Sequence, residues 1–457
     1  MDSTAISTSL PQIAADVGTE PVALKLALTT YMLALAVFIP VSGWVADRFG
    51  ARRIFVGAIA VFLVGSLCCA ASDGLGSLVA GRFVQGVGGA MMVPVGRLVL
   101  LRSIEKAELV RALSWLTVPA MLGPILGPVL GGAITTYAHW RFIFLINLPM
   151  GLLGMWLAWR FVPDVRQPVA KMDWRGFVLS ASGLGLAMFG LSAIGRGLMP
   201  GAATSLVIVV GFALVFAYVR HARTHPHPLL CLDLLRYPTY RAGVLGGSLF
   251  RIGIGATPFL LPLMLQLGFG LDPLQSGLIT FTSTAGAMFM KVVAPRILHQ
   301  FGFRPVLVWN GLLASALLAG FGLFRADTPY WLMVSVLLAS GCFRSLQFTS
   351  INAIAYAEIG QERMSQASSL AAVAQQVSLA LGVTIGGYAL SVAGRATGGG
   401  DGDPLAFLFA FLTVGVISAI SVFEMRKLAP DAGAEMAGRA EAGHEVTEPK
   451  VEARPQA

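Results

Sequence analysis

Charged residues are scarce along this chain. Asp, Glu, Lys and Arg make up 12% of its 457 residues, and hydrophobic residues make up 56%. About a quarter of a soluble domain is charged, so this shortage argues against a set of soluble domains and predicts an integral membrane protein. The mean hydropathy of +0.75 agrees. The net charge of +9 then marks cytoplasmic loops rather than a nucleic-acid partner.

Paired cysteines and membrane-embedded histidines are lacking as well. No CxxC pair occurs, and the four cysteines are expected to be inert thiols: Cys68, Cys69, Cys231 and Cys342. All six histidines fall in loops, at span edges or in the tail: His139, His221, His225, His227, His299 and His444. We interpret "HARTHPHPLL" at 221–230 as a plain loop. The sequence therefore predicts no enzyme activity, no cofactor and no metal site.

Apolar stretches long enough to cross a bilayer, about 20 residues each, recur along the chain. There are thirteen, near 25–46, 54–72, 77–101, 112–136, 140–162, 175–194, 202–220, 242–266, 274–295, 304–324, 329–352, 365–391 and 404–425. The opening stretch 1–14 would be the fourteenth, but as a helix it rises only about 20 Å. One interpretation is that the start codon is assigned too late, so that the front of this helix is missing. The other is that the helix is truly short and thins the bilayer.

Basic residues alternate between loops, which predicts the orientation of the chain. Alternate loops are rich in Arg, as at 48–53, 102–111 and 166–175, and we place these loops and the C-terminus in the cytoplasm. "DRFGARRIFV" at 47–56 and "HQFGFRPVLV" at 299–308 form a faint repeat. Such repeats are typical of paired six-helix transporters.

These observations predict an all-α polytopic membrane protein of fourteen spans, the first truncated. We expect two six-helix halves, at 1–162 and 224–426, with two extra helices between them at 163–223. Residues 427–457 contain no aromatic side chain, so a disordered cytoplasmic tail is expected.

Six motifs connect the chain to a known family. "GWVADRFGARR" at 43–53 combines a Gly that permits close helix approach with an Asp able to accept hydrogen bonds at a helix terminus. It resembles the loop signature of the major facilitator superfamily, which implies a gating loop of Gly43, Asp47, Arg48, Gly50, Arg52 and Arg53. The alternative is a basic cytoplasmic loop without a moving part. The arginines would pair with Asp47 or with lipid phosphates.

"LGPILGPVLGG" at 122–132 repeats a small residue every four positions and inserts two prolines that bend a helix. It resembles the fifth-helix motif of the superfamily's antiporters, which implies roles for Gly123, Pro124, Gly127, Pro128, Gly131 and Gly132. A kinked packing helix is the other interpretation.

"GRFVQGVGGA" at 81–90 resembles the superfamily's fourth-helix motif, whose arginine is buried. "WRFIFLINLPMG" at 140–151 and "DWRGF" at 173–177 narrow the resemblance to the fourteen-helix drug:proton antiporters of the EmrB/QacA type, most like the MdtD-type transporters. The opening stretch resembles their first-helix motif, Asp-x-Thr followed by Leu-Pro, which implies that Asp2 lies mid-membrane.

Ionisable residues inside the membrane are candidates for function. A buried carboxylate can bind and release a proton near neutral pH, whereas Arg cannot, so Asp2 is the predicted proton-coupling site, with Arg82 as partner. The alternative for Asp2 is a fixed hydrogen bond. Other bases and amides are expected to line a substrate path: Gln85, Arg97, Arg251, Arg344, Gln347, Asn352 and Gln375. Each amide is equally consistent with helix-to-helix bonding, and Arg82 and Arg97 are expected to share one cavity.

The resemblance implies a proton-coupled efflux antiporter that exports small molecules or drugs across the inner membrane of a bacterium by alternating access. The excess of buried bases favours an alternative, an exporter of organic anions such as citrate or metal–citrate complexes. A channel or receptor is more remote, because no filter-like loop or sensor domain is evident. Expected partners are a small-molecule substrate, protons and the lipid bilayer, and we expect a monomer.

Overall fold

The structure is a computed structural model. It describes residues 13, 16–18, 25–113, 115, 123, 130–131, 134, 137–164, 166–193, 199–271, 273–398 and 403–439. Within these residues every regular element is a helix, and twelve helices are long and apolar enough to cross a membrane. They are α1 (Thr30–Phe49), α2 (Ala51–Ala70), α3 (Leu75–Ser103), α4 (Phe142–Phe161), α5 (Trp174–Leu191), α6 (Gly201–Thr224), α7 (Pro238–Gly268), α8 (Gln275–Phe301), α9 (Phe303–Leu323), α10 (Tyr330–Ile354), α11 (Gln361–Thr397) and α12 (Pro404–Arg426).

These twelve helices overlap twelve of the thirteen predicted stretches, so the all-helical membrane fold is confirmed. The thirteenth stretch, 112–136, and the opening stretch 1–14 lie wholly or largely outside the described residues. A count of fourteen spans and the division into halves and inserted helices therefore stay predictions.

Turns that are not α-helical interrupt some of the helices, as in α1 and α7. In α1 a 3₁₀ turn at Ile39–Val41 separates the first segment from a final helix, Ser42–Phe49. Pro40 lies in that turn and lacks the N–H that an α-helix needs. In α7, π turns at Ala242–Gly246 and Met264–Gly268 flank the central helix.

Small residues let the helices pack closely around a shared core. The most extensive packing joins α2 with α3, α5 with α6, α8 with α10 and α7 with α11. Helix α5 also packs against α1 and α11. The largest buried apolar cluster draws residues from α1, α3, α7, α8, α10 and α11.

The faint sequence repeat has a counterpart in backbone geometry. Phe49 ends α1 and Phe301 ends α8, and each is followed by a glycine with positive φ, 98° at Gly50 and 78° at Gly302. Side chains other than glycine rarely adopt this conformation. The same Phe-Gly turn therefore starts α2 and α9, which supports the repeat.

The segment after α12 packs against the helices over residues 427–439, and a disordered tail over 427–457 stays a prediction. Over residues 427–439, Leu428 and Met436 are each 2% exposed, and Glu435 pairs with Lys106 at 3.5 Å. Two apolar anchors hold a segment that has no aromatic residue to do so. Residues 440–457 lie outside the described part of the chain.

Candidate functional site

A buried ion pair lies where α1 and α3 end. The Oδ1 atom of Asp47 is 2.8 Å from Nη2 of Arg102, and the two side chains are only 7% and 5% exposed. The hydroxyl of Ser365, at the start of α11, donates to the other Asp47 oxygen. We call this end of the bundle, defined by Asp47, Arg102 and Ser365, the Asp47 end. Its network joins α1, α3 and α11.

The helices touch at Gly43. Its backbone N–H donates to Oγ of Ser369 at 2.9 Å, and the hydroxyls of Ser42 and Ser369 are 3.2 Å apart. A Cβ atom at Gly43 would lie 2.5 Å from that Oγ and 2.7 Å from the carbonyl oxygen of Ser365. No side chain fits between α1 and α11 while they hold this arrangement.

The motif arginines do not pair with Asp47, in contrast to the sequence interpretation. Arg48 is exposed, Arg52 lies over the ring of Trp159 with Cζ 5.1 Å from its centroid, and Arg53 pairs with Asp164 at 3.3 Å. Arg102 takes their place. It lies outside the motif, and only its position in a basic loop marked it in the sequence.

The segment between α4 and α5 covers the Asp47 end. The N–H of Gln167 donates to the carbonyl oxygen of Asp47 at 3.1 Å, and the indole of Trp44 donates to the carbonyl oxygen of Ala170 at 3.0 Å. Asp164 lies against Gly50, where a side chain would collide with it. This α4–α5 segment, residues 162–164 and 166–173, is therefore fastened to the last turns of α1.

Arg82 is buried within the first helices. Its Nη1 donates to Oε1 of Gln85 at 2.5 Å, its Cζ lies 4.3 Å from the centroid of the Tyr31 ring, and Gln85 donates to Ser66 at 2.9 Å. Gln85 thus joins α3 to α2. Asp2, the predicted partner of Arg82, lies outside the described residues.

Arg97 and Arg251 each bond a helix distant in sequence. Nη2 of Arg97 in α3 donates to Oε1 of Gln375 in α11 at 3.4 Å. Nη2 of Arg251 in α7 donates to Oδ1 of Asn352 in α10 at 3.2 Å. The arginines are 8% and 2% exposed. Arg97 thus contacts α11, whereas Arg82 contacts α1. The two arginines were expected to share one cavity, but their contacts lie on different helices.

Neither of these guanidinium groups contacts a carboxylate within the described part of the chain. Among the same residues, Nη1 of Arg97 and Nε of Arg251 are buried and have no hydrogen-bond partner. A buried, uncompensated charge is costly. This pair therefore favours an acceptor or an anion from outside the described residues.

A third base lies nearby. The ring of Phe348 is 5.7 Å from Cζ of Arg251 and 5.8 Å from Nζ of Lys291. Lys291 is 5% exposed and donates to the Thr349 hydroxyl at 2.6 Å. Lys291 and Phe348 were not among the predicted site residues.

Two other predicted path residues contact neighbouring helices instead. Nη2 of Arg344 donates to the Ser283 hydroxyl in α8 at 3.2 Å. Gln347 accepts from Asn310 at 2.9 Å and donates to the carbonyl oxygen of Leu307 at 2.9 Å. The amide of Gln347 therefore bonds α10 to α9. These contacts do not link Gln347 to Arg251.

The antiporter-type motif is described only at Gly123 and Gly131, which are helical and buried. Its other four residues lie outside the described part of the chain: Pro124, Gly127, Pro128 and Gly132. Their roles stay predictions.

Comparison with known proteins places this geometry in a family. The Major Facilitator Superfamily model matches residues 1–383 and 243–445. The chain is 36% identical over 425 residues to an MdtD protein of Enterobacter sp. (strain 638), covering 92% of this chain and 90% of that one. It is 37% identical over 426 residues to MdtD of Salmonella heidelberg (strain SL476), with 92% and 90% coverage. Both relatives are named for multidrug resistance.

Solved structures share the fold at low sequence identity. The human organic anion transporter MFSD10 (TETRAN) superimposes with a TM-score of 0.64 at 15% identity, covering 91% of this chain and 88% of that one. The proton:xylose symporter XylE, bound to 6-bromo-6-deoxy-D-glucose, gives 0.64 at 14% identity, covering 96% and 94%. The family match over most of the chain and these shared folds lead to one conclusion: the chain belongs to the Major Facilitator Superfamily, a family of membrane transporters.

Proposed function

We propose that the chain is a proton-coupled antiporter that exports small molecules or drugs across the inner membrane of a bacterium by alternating access. The observation that carries this proposal is the polar network at the Asp47 end. Its ion pair joins α1 to α3, and the hydroxyls of Ser365 and Ser369 join α1 to α11. Water can replace these bonds when the helices part. In this proposal the Asp47 end faces the cytoplasm and the structure is closed there.

The proton step is assigned to Asp2, paired with Arg82. Its support is the motif resemblance and the burial of Arg82 at 1% exposure. A carboxylate beside a buried arginine binds a proton only when the local field weakens, so protonation and helix movement would be coupled. The names of the MdtD relatives support export rather than uptake.

A second candidate for the substrate is an organic anion. Arg97 and Arg251 support it, because each keeps a buried N–H group without a hydrogen-bond partner in the described residues. A carboxylate between α3 and α7 would accept from both groups and would neutralise charge brought together from both predicted halves. A lipophilic cation would gain nothing from these groups.

Substrate-driven proton flux separates the two candidates. The full-length protein would be reconstituted into liposomes that hold a trapped pH dye, and a lipophilic cation or a tricarboxylate would be added under identical conditions. Flux with the cation alone supports drug antiport, and flux with the tricarboxylate alone supports the anion exporter. Protein that transports either compound without moving protons would refute the coupled mechanism.

A further inference from the structure

Three metal-binding side chains meet at the ends of α5 and α6, on the histidine-rich stretch interpreted above as a plain loop. Asp173 directly precedes α5, His221 lies in the last turn of α6, and His225 follows that helix. Ligand atoms from all three lie within 4.8 Å of one another. The antiparallel packing of α5 and α6 produces this cluster.

In the central contact, the two ligand atoms are already almost as far apart as two ligands of one metal ion. Nε2 of His221 lies 2.9 and 3.1 Å from the two oxygens of Asp173. Two ligands on one tetrahedral Zn²⁺, with bonds of about 2.1 Å, lie about 3.4 Å apart. An ion could therefore replace the proton that these groups share, with a displacement of only a few tenths of an ångström.

The third ligand lies beside the pair. The ring of His225 lies 5.0 Å from that of His221, centroid to centroid, with the planes 34° apart. The backbone N–H of His225 donates to the carbonyl oxygen of His221 at 2.9 Å, which places His225 one turn beyond His221, directly after the helix. Two imidazoles and a carboxylate form a donor set that first-row divalent ions prefer.

Asp173 is held ready as a ligand. Its side chain is 3% exposed, and its Oδ1 accepts from the backbone N–H of Gly176 at 2.8 Å. The carboxylate is thus held in a fixed orientation toward the two histidines.

We propose that Asp173, His221 and His225 bind a divalent transition-metal ion, with Zn²⁺ the best match, and that water completes the coordination. All three ligands come from this one chain, and none of them is among the predicted substrate-path residues. It also lies at the end of the α4–α5 segment, whose Gln167 and Ala170 bond the last turns of α1.

Metal titration of the full-length protein tests this site. Protein purified in detergent with a histidine-free tag would be titrated with Co²⁺, whose visible absorption reports tetrahedral coordination, and Zn²⁺ would then be added to compete. We expect one saturable site that Zn²⁺ displaces. A titration without a saturable band, or one that Zn²⁺ does not reverse, would overturn the proposal.

Matched variants locate the ion. His225→Ala leaves the Asp173–His221 contact intact and should weaken Co²⁺ binding at least as much as the loss of an outer-shell partner, roughly 10–100-fold. His227→Ala is the control, because His227 is exposed and lies outside the cluster. Equal binding by both variants and the unmodified protein would show that the histidines only stabilise the turn.

Discussion

Replacing Asp47 with Asn should release the Asp47 end. The substitution keeps the shape of the side chain but leaves the Arg102 guanidinium, 5% exposed, without its counter-charge. Breaking one partner of a buried ion pair costs about 3–5 kcal/mol. That cost falls on the closed arrangement alone, because in an opened one water reaches both residues. At 1.4 kcal/mol for each factor of ten, the balance shifts toward the open form by roughly 10²- to 4 × 10³-fold.

Thiol labelling measures the shift. Ala46 is fully buried beside the network and would become Cys in a background in which the native cysteines are replaced: Cys68, Cys69, Cys231 and Cys342. The rate at which N-ethylmaleimide labels this thiol follows the open population until it saturates. Asp47→Asn should therefore raise the labelling rate by at least about tenfold.

Two controls make the result interpretable. Arg53→Gln removes a motif arginine that is 59% exposed, so it should change the labelling rate little. The double variant Asp47→Asn with Arg102→Gln removes the unpaired charge and should return the rate part of the way. If Asp47→Asn labels no faster than Arg53→Gln, the Asp47–Arg102 pair does not stabilise the contact between α1 and α11 and the reasoning fails.

Three further outcomes follow from the same contacts. Gly43→Ala should abolish transport while the protein still inserts, because its Cβ would collide with α11, whereas Gly57→Ala, with no atom within 4 Å, should transport normally; equal transport by both would contradict the tight contact. Asp2→Asn should lose proton-driven uptake into inverted vesicles, and unchanged uptake under a pH gradient would exclude Asp2 as the coupling site. Arg251→Gln should reduce tricarboxylate-driven flux far more than cation-driven flux, with Arg325→Gln as the control outside the site, and an equal loss for both substrates would remove the electrostatic argument.

The helices were predictable because each depends on local sequence. Apolar runs of span length and glycine-rich packing determine where a helix can cross a bilayer, and twelve predicted stretches match twelve helices. The turn at Gly50 was equally local, since only glycine tolerates its positive φ. Features that depend on one segment alone, such as the span positions and the Gly50 turn, could be inferred from that segment.

The partners of the buried charges were not predictable in the same way. Asp47 has three arginines within six positions, yet it pairs with Arg102, because the end of α3 lies beside it in space. Ser365 carries no signal in the sequence at all. The Asp173–His221 contact depends on how α5 packs against α6, which a reading of either helix alone does not reveal.

The buried arginines of this fold differ in the partners that their charges have. At the Asp47 end, Arg102 faces a carboxylate of its own chain, so the closed arrangement is complete without a ligand. Between α3 and α7, Arg97 and Arg251 have amide partners only, within the described residues. Amides solvate a guanidinium but do not neutralise it, and two such groups repel one another. The Asp47 network is therefore complete within the chain, whereas negative charge that enters between α3 and α7 would stabilise Arg97 and Arg251. If the chain exports an organic anion, as the second proposal has it, these two arginines select the sign of the substrate charge.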